Sequence, residues 1–200
     1  MTRREVLPWL LQDTELGEHL LEIGAGPGAA TEELRKRAGR VTSLEYSHDF
    51  AAGIVRRDSQ NAHARRKREQ LMDHADRNET ARNGDAEPEN RAVLRGDAST
   101  LPFPDKTFSA AIAVLVLHHL RSQEAQDRAF AEIFRVLRPG GVFLALDIPD
   151  GWLHRIAHIR STFVPITPAE APVRLAAAGF SGVQLASRRG AFRVRATRPL

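Results

Sequence analysis

Cysteine is absent from the 200-residue chain, which excludes disulfide scaffolds, thiolate zinc sites, iron–sulfur clusters and cysteine nucleophiles. No apolar run approaches the ~20 residues that span a bilayer, and no signal-peptide core follows Met1-Thr2-Arg3-Arg4-Glu5. These absences lead to the expectation of a soluble, cytoplasmic protein with no membrane span. Lysine is scarce: only Lys36, Lys67 and Lys106 stand among 29 basic residues, so the sequence pI of about 10.2 rests on arginine. Such a skew also follows from GC-rich coding, and the net charge is only +4, so composition gives little reason to expect a nucleic-acid partner. With 42% hydrophobic and 27% charged residues, the chain is expected to form a single globular domain over residues 1–200.

Within that domain one stretch stands apart. From Arg56 to Arg91 nearly every second residue is charged, with both signs mixed and Leu71-Met72 as the one apolar pair. The segment cannot bury enough surface to offset its ordering entropy, so it reads as a solvated insertion at about residues 60–90, helical at most in its first half. Around it, strand and helix patterns alternate. Strands are expected at Leu20–Ile23, Val41–Leu44, Val93–Arg95, Phe108–Leu117 and Val142–Leu146, with helices at Thr31–Arg37, Asp49–Val55 and Gln123–Leu137. This rhythm means an α/β fold with a mostly parallel sheet. Val183–Ser187 and Phe192–Ala196 alternate at period two with no room for a helix between them, which predicts a C-terminal hairpin. The expected architecture is a Rossmann-like three-layer sandwich whose seven-stranded sheet has one antiparallel strand near an edge.

Leu21-Glu22-Ile23-Gly24-Ala25-Gly26-Pro27-Gly28 joins the first strand to the first helix after it. Glycines there let the backbone turn sharply and approach a ligand closely. Gly24-x-Gly26-x-x-Ala29 also satisfies a loosened dinucleotide fingerprint, so the loop alone leaves an NAD(P)-dependent oxidoreductase open. Glu45 ends the second strand, where a carboxylate can accept from both hydroxyls of a ribose. Gly96-Asp97-Ala98 follows the third strand, at the sheet edge where open α/β folds bind ligands.

With Leu101-Pro102-Phe103-Pro104-Asp105, Leu117-His118-His119-Leu120 and Leu137-Arg138-Pro139-Gly140-Gly141, these motifs occur in an order that resembles the class I S-adenosylmethionine-dependent methyltransferases. The resemblance covers the chain apart from the insertion. It implies that Glu22 and the Gly24, Ala25, Gly26 and Gly28 loop serve the methionine part of S-adenosyl-L-methionine. It further implies Glu45 on the ribose, and Asp97 with Ala98 on the adenine. One departure is Ser109, where an acidic residue is usual.

Methyl transfer from a sulfonium is an in-line displacement from an activated donor, so proximity and orientation can do most of the work. Were the acceptor a hydroxyl, His118 or His119 would be the candidate base; the opposing reading is a strand–helix junction. His154 and His158, four apart, would share a helix face, but with only Asp147 and Asp150 nearby they make a poor metal site, and none is expected. Val6–Leu11 together with Trp152, Phe163 and Pro165 read either as an apolar lid or as core. The fourth strand ends in Val114-Leu115-Val116-Leu117 and carries no Asn/Asp-Pro-Pro-Tyr/Phe motif, which favours a small-molecule acceptor over nucleic acid. Arg65-Arg66-Lys67-Arg68 is the feature that keeps an anionic partner open. A methyltransferase-like scaffold that has lost catalysis is the remaining alternative.

Overall fold

The computed structural model of the protein describes residues 3–73, 91–151, 162–188 and 190–200. Five strands run parallel: β1 (His19–Ile23), β2 (Arg40–Glu45), β3 (Arg91–Arg95), β4 (Phe108–Val114) and β5 (Leu137–Asp147). The hairpin β6 (Ser181–Arg188) and β7 (Ala191–Thr197) completes a seven-stranded sheet of order β3-β2-β1-β4-β5-β7-β6. Strand β7 lies antiparallel to both its neighbours, which is the expected exception. Helices α1 (Arg3–Leu10), α2 (Thr31–Arg35), α3 (His48–Asp73), α4 (Gln123–Val136) and α5 (Glu170–Ala177) accompany it.

Strand β4 sits mid-sheet between β1 and β5, and Ala110, Ala111 and Ala113 are fully covered. Small side chains there let apolar layers close on both faces, as a strand buried on both sides requires. One layer packs Phe130, Ile133 and Val136 of α4 with Leu175 of α5 against Phe143 and Ile23. The other packs Leu7, Leu10 and Leu34 from α1 and α2 against Leu20, Ile112 and Leu144. Ser122 caps α4 by accepting from the Ala125 N–H (3.2 Å). At the far end the Arg198 guanidinium donates to the Phe134, Arg135 and Leu137 carbonyls, satisfying the helix's last acceptors. Arg193 likewise donates to the Trp9 carbonyl and lies 5.4 Å over the Trp9 ring, tying α1 to β7.

Three boundaries differ from expectation. The helix expected to end at Val55 continues: α3 runs unbroken for 26 residues to Asp73, so the first half of the charged stretch is helical, as the sequence left open, while 74–90 lie outside the described residues. The charge count excluded a buried face but not a helix anchored by polar contacts. Among the described side chains of α3 only Ile54 is buried deeply; Arg35 donates two bonds to Asp58 (2.7 and 2.8 Å), Arg57 one to the Pro27 carbonyl (2.6 Å) and Asn61 one to Glu32 (3.3 Å). Strand β4 stops at Val114, because Leu115 turns into the left-handed region (φ 54°) and Leu117–His119 forms a 3-10 turn. Strand β5 starts earlier than expected, at Leu137, and the register shift opposite Phe108–Ala110 takes up Arg138–Gly141 as a bulge. Ser109, the departure from the family pattern, accepts from the His19 N–H (2.9 Å) and faces the Leu16 and His19 carbonyls, so it ties β4 to the entry of β1. Among the described residues no helix is long and apolar enough to cross a membrane.

Candidate functional site

The carboxyl ends of β1, β2 and β4 meet around the glycine loop. Gly24 has φ +69°, and a Cβ there would lie 2.2 Å from Cγ2 of Val116, so only glycine fits between β1 and the end of β4. Gly26 has φ +53° with nothing within 4 Å of an added Cβ: its free face is open space.

Glu45 is buried, and its carboxylate reaches back to the loop. Oε2 accepts from the Gly26 N–H (2.7 Å) and Oε1 from the Ser47 N–H (2.8 Å). Each oxygen has a second lone pair, so the residue braces the loop while keeping acceptor capacity. Glu22 is also buried; Thr31 and Ser43 hydroxyls both donate to its Oε2 (2.7 Å each). Burial pushes this carboxyl above its ordinary range, against the pull of the two hydroxyls. Asp97 accepts on Oδ1 from the Ser99 N–H and hydroxyl (2.8 Å each), shaping the turn that follows β3 with half-buried Ala98. Glu22, Gly24, Ala25 and Gly26 line one cleft of about 610 Å³, whose opposite wall is Val6, Leu7 and Pro8 of α1 with Val114 and Leu115. Glu45, Asp97 and Ala98 lie beyond that cleft, on the β2–β3 side. Across the same rim the Tyr46 hydroxyl accepts from Arg121 (2.7 Å).

The two histidines differ. His118 is buried; its Nδ1 faces the Asp147 carboxylate, which also accepts from the His118 N–H (3.2 Å) and the Ile148 N–H (2.8 Å). This contact fixes the orientation of the buried ring. His119 is exposed, stacks 4.1 Å from His118, and faces the Thr162 carbonyl through Nδ1 (3.1 Å). Asp147 is the residue that sequence reasoning missed as a partner. Its signal was an acid closing the apolar run Val142–Leu146, but the pairing is tertiary and spans 29 residues. Of the expected lid, Leu7, Leu10 and Leu11 are core, Val6, Leu7 and Pro8 face the cleft, and Phe163 packs 5.4 Å from His118. Trp152, His154 and His158 lie outside the described residues, among which no group of metal-binding side chains occurs.

Residues 21–145 match the methyltransferase domain family. Demethylmenaquinone methyltransferase of Thermobifida fusca is 32% identical over 129 residues, 64% of this chain and 43% of that protein. Malonyl-[acyl-carrier protein] O-methyltransferase of Serratia marcescens is 30% identical over 142 residues, 70% of this chain and 42% of that protein. The chain thus spans less than half the length of these curated relatives. Among solved structures, the YcgJ protein of Bacillus subtilis superposes with a TM-score of 0.70, covering 94% of each chain. At 14% identity that likeness shows the fold alone.

Proposed function

The chain belongs to the class I S-adenosylmethionine-dependent methyltransferase family, and from that footing we propose that it is an enzyme that methylates a small-molecule acceptor, built as a single cofactor-binding domain over residues 1–200. The observation that carries this reading is a glycine loop braced by Glu45 and flanked by buried Glu22, opening onto a cleft large enough for a small molecule. The site residues fit the family's cofactor: Gly26 offers open space at a left-handed turn, and Glu45 retains lone pairs for hydroxyl donors. Glu22 and the loop residues Gly24, Ala25, Gly26 and Gly28 would hold its methionine part, Glu45 its ribose, and Asp97 with Ala98 its adenine. The chemistry that S-adenosylmethionine would supply there is an activated methyl group, which an acceptor's lone pair would displace with the carbon–sulfur electrons left on sulfur. The chain's own contribution is to hold the reactants in line and exclude water. His118, held by Asp147, stiffens the turn after β4, and for an acceptor that must lose a proton the candidate bases are His118 and His119. The similarity to a demethylmenaquinone methyltransferase supports a small-molecule acceptor.

Calorimetric titration with S-adenosylmethionine, S-adenosylhomocysteine and NAD in parallel tests the reading. Binding of the first two with a 1:1 endpoint, and none of NAD, is expected. Saturable NAD binding without the others would overturn it. Cofactor binding with no S-adenosylhomocysteine formed across hydroxyl, amine and activated-carbon acceptors would identify a non-catalytic scaffold instead.

A further inference from the structure

Resting on the methyltransferase reading, we infer that the cleft between α1 and the glycine loop takes an uncharged acceptor with an apolar body. Its walls away from the loop backbone are Val6, Leu7, Pro8, Pro27, Val114 and Leu115, a nearly continuous apolar surface. The cleft of about 610 Å³ is shared: its wall of Glu22, Gly24, Ala25 and Gly26 is the one assigned above to the cofactor's methionine part, and the acceptor lies against the α1 and Val114–Leu115 side.

Leu115 makes the inference specific. A bulky residue with φ 54° is a backbone outlier, strained for any side chain but glycine. The fold needs the turn, since the Leu115 N–H still donates to the Leu146 carbonyl (2.8 Å) as β4 ends. It does not need a leucine, because the side chain is 41% exposed and lies outside both core layers. What the side chain does is face the cleft.

The charge around the cleft points the same way. Glu22 and Glu33 are the ionisable groups among its described lining residues. Glu33 is already paired with Lys36 and Arg37 on its own turn (3.3 and 3.2 Å), and buried Glu22 is satisfied by Thr31 and Ser43. Among the described residues that line the cleft none is cationic.

Three naphthalene probes of one shape read this directly: 2-naphthol, 2-naphthoate and 2-naphthylmethylammonium, titrated by fluorescence at pH 7. The first should bind saturably, with S-adenosylhomocysteine present at saturation, and at least tenfold more tightly than either ion. Val6→Glu and Leu115→Ala should each weaken 2-naphthol binding by fivefold or more. Should Val6→Glu fail to fold, Leu115→Ala, which truncates a half-exposed side chain, carries the test. Equal affinity for the three probes, expulsion of 2-naphthol by S-adenosylhomocysteine, or indifference to Leu115→Ala would each overturn the inference. A wild type that takes 2-naphthol but not S-adenosylhomocysteine would refute the methyltransferase reading and leave the apolar site standing.

Discussion

Replacing Glu45 with alanine removes the brace of the glycine loop and, on the proposed reading, an acceptor for the cofactor's ribose hydroxyls. The brace comprises two charge-assisted bonds, from the Gly26 N–H at 2.7 Å and the Ser47 N–H at 2.8 Å. Such bonds contribute about 1.5–3 kcal/mol each when buried. Gly26 is only half-buried, so water can take over part of that role, and a total near 2 kcal/mol is the expectation. For a chain of this size that lowers the thermal midpoint by about 4–8 °C. This departs from the simpler view of a strand-end carboxylate as a ligand contact whose loss leaves folding untouched. Affinity should fall by about 30- to 1000-fold, the equivalent of 2–4 kcal/mol for two lost ribose acceptors. Glu45→Gln keeps one carbonyl acceptor and should lie between wild type and alanine on both scales. Differential scanning calorimetry with and without S-adenosylhomocysteine, together with direct titration, separates the two effects. A midpoint within about 1 °C of wild type would refute the brace. A lowered midpoint with unchanged affinity would leave Glu45 a loop brace and remove it from the ribose site.

Two further outcomes follow from particular contacts. Glu22 is held above its ordinary value of 4.5 by burial, so the folded state binds more protons than the unfolded state above that pH. Its contribution to stability is therefore full below pH 4.5 and is lost as pH rises through the folded value; Glu22→Gln should narrow its stability deficit from pH 4.5 upward, and a deficit constant with pH in urea titrations would refute this. The Arg35–Asp58 pair has side-chain exposures of only 11% and 18%, so Asp58→Ala, which strands the Arg35 charge, should cost about 2 kcal/mol, more than a surface pair but less than a fully buried one. A thermal midpoint unmoved by Asp58→Ala would mean that α3 is not anchored through this contact.

Periodicity and glycine placement made the sheet, the C-terminal hairpin and the glycine loop legible, because each is dictated by local pattern. The apolar run Phe108–Leu117 reads as a strand covered on both faces, although the strand itself ends at Val114, and Gly24-Ala25-Gly26 reads as a sharp turn. What escaped were features whose cause lies far along the chain. Helix α3 continues to Asp73 because Ala, Arg, Gln and Glu favour helix on their own, while its anchors, Pro27, Glu32 and Arg35, come from the preceding loop and helix. The left-handed Leu115 had no Gly or Asn to announce it, and the cleft wall it forms with α1 joins segments about a hundred residues apart. Asp147 was visible as a residue type but not as the partner of His118.

These acids share a physical logic that ligand binding alone does not explain. Parallel strands end in N–H groups that the next loop leaves without ladder partners, and an acid within two residues of a strand's end can satisfy them. Glu45 does so for Gly26 and Ser47, Asp97 for Ser99, and Asp147 for His118 and Ile148. Glu22 plays a similar part with the Thr31 and Ser43 hydroxyls. The resulting rim is acidic on a chain of net charge +4, and each carboxylate is already oriented before any ligand arrives. Strand β4 is the exception, closing on Val114 and Leu115 with no acid. That interruption leaves one apolar gap in a polar rim, and the gap coincides with the cleft beside the glycine loop. On the proposed reading, a cationic donor would be favoured beside the acids and an apolar acceptor at the gap, since a cation in the gap would be left unpaired.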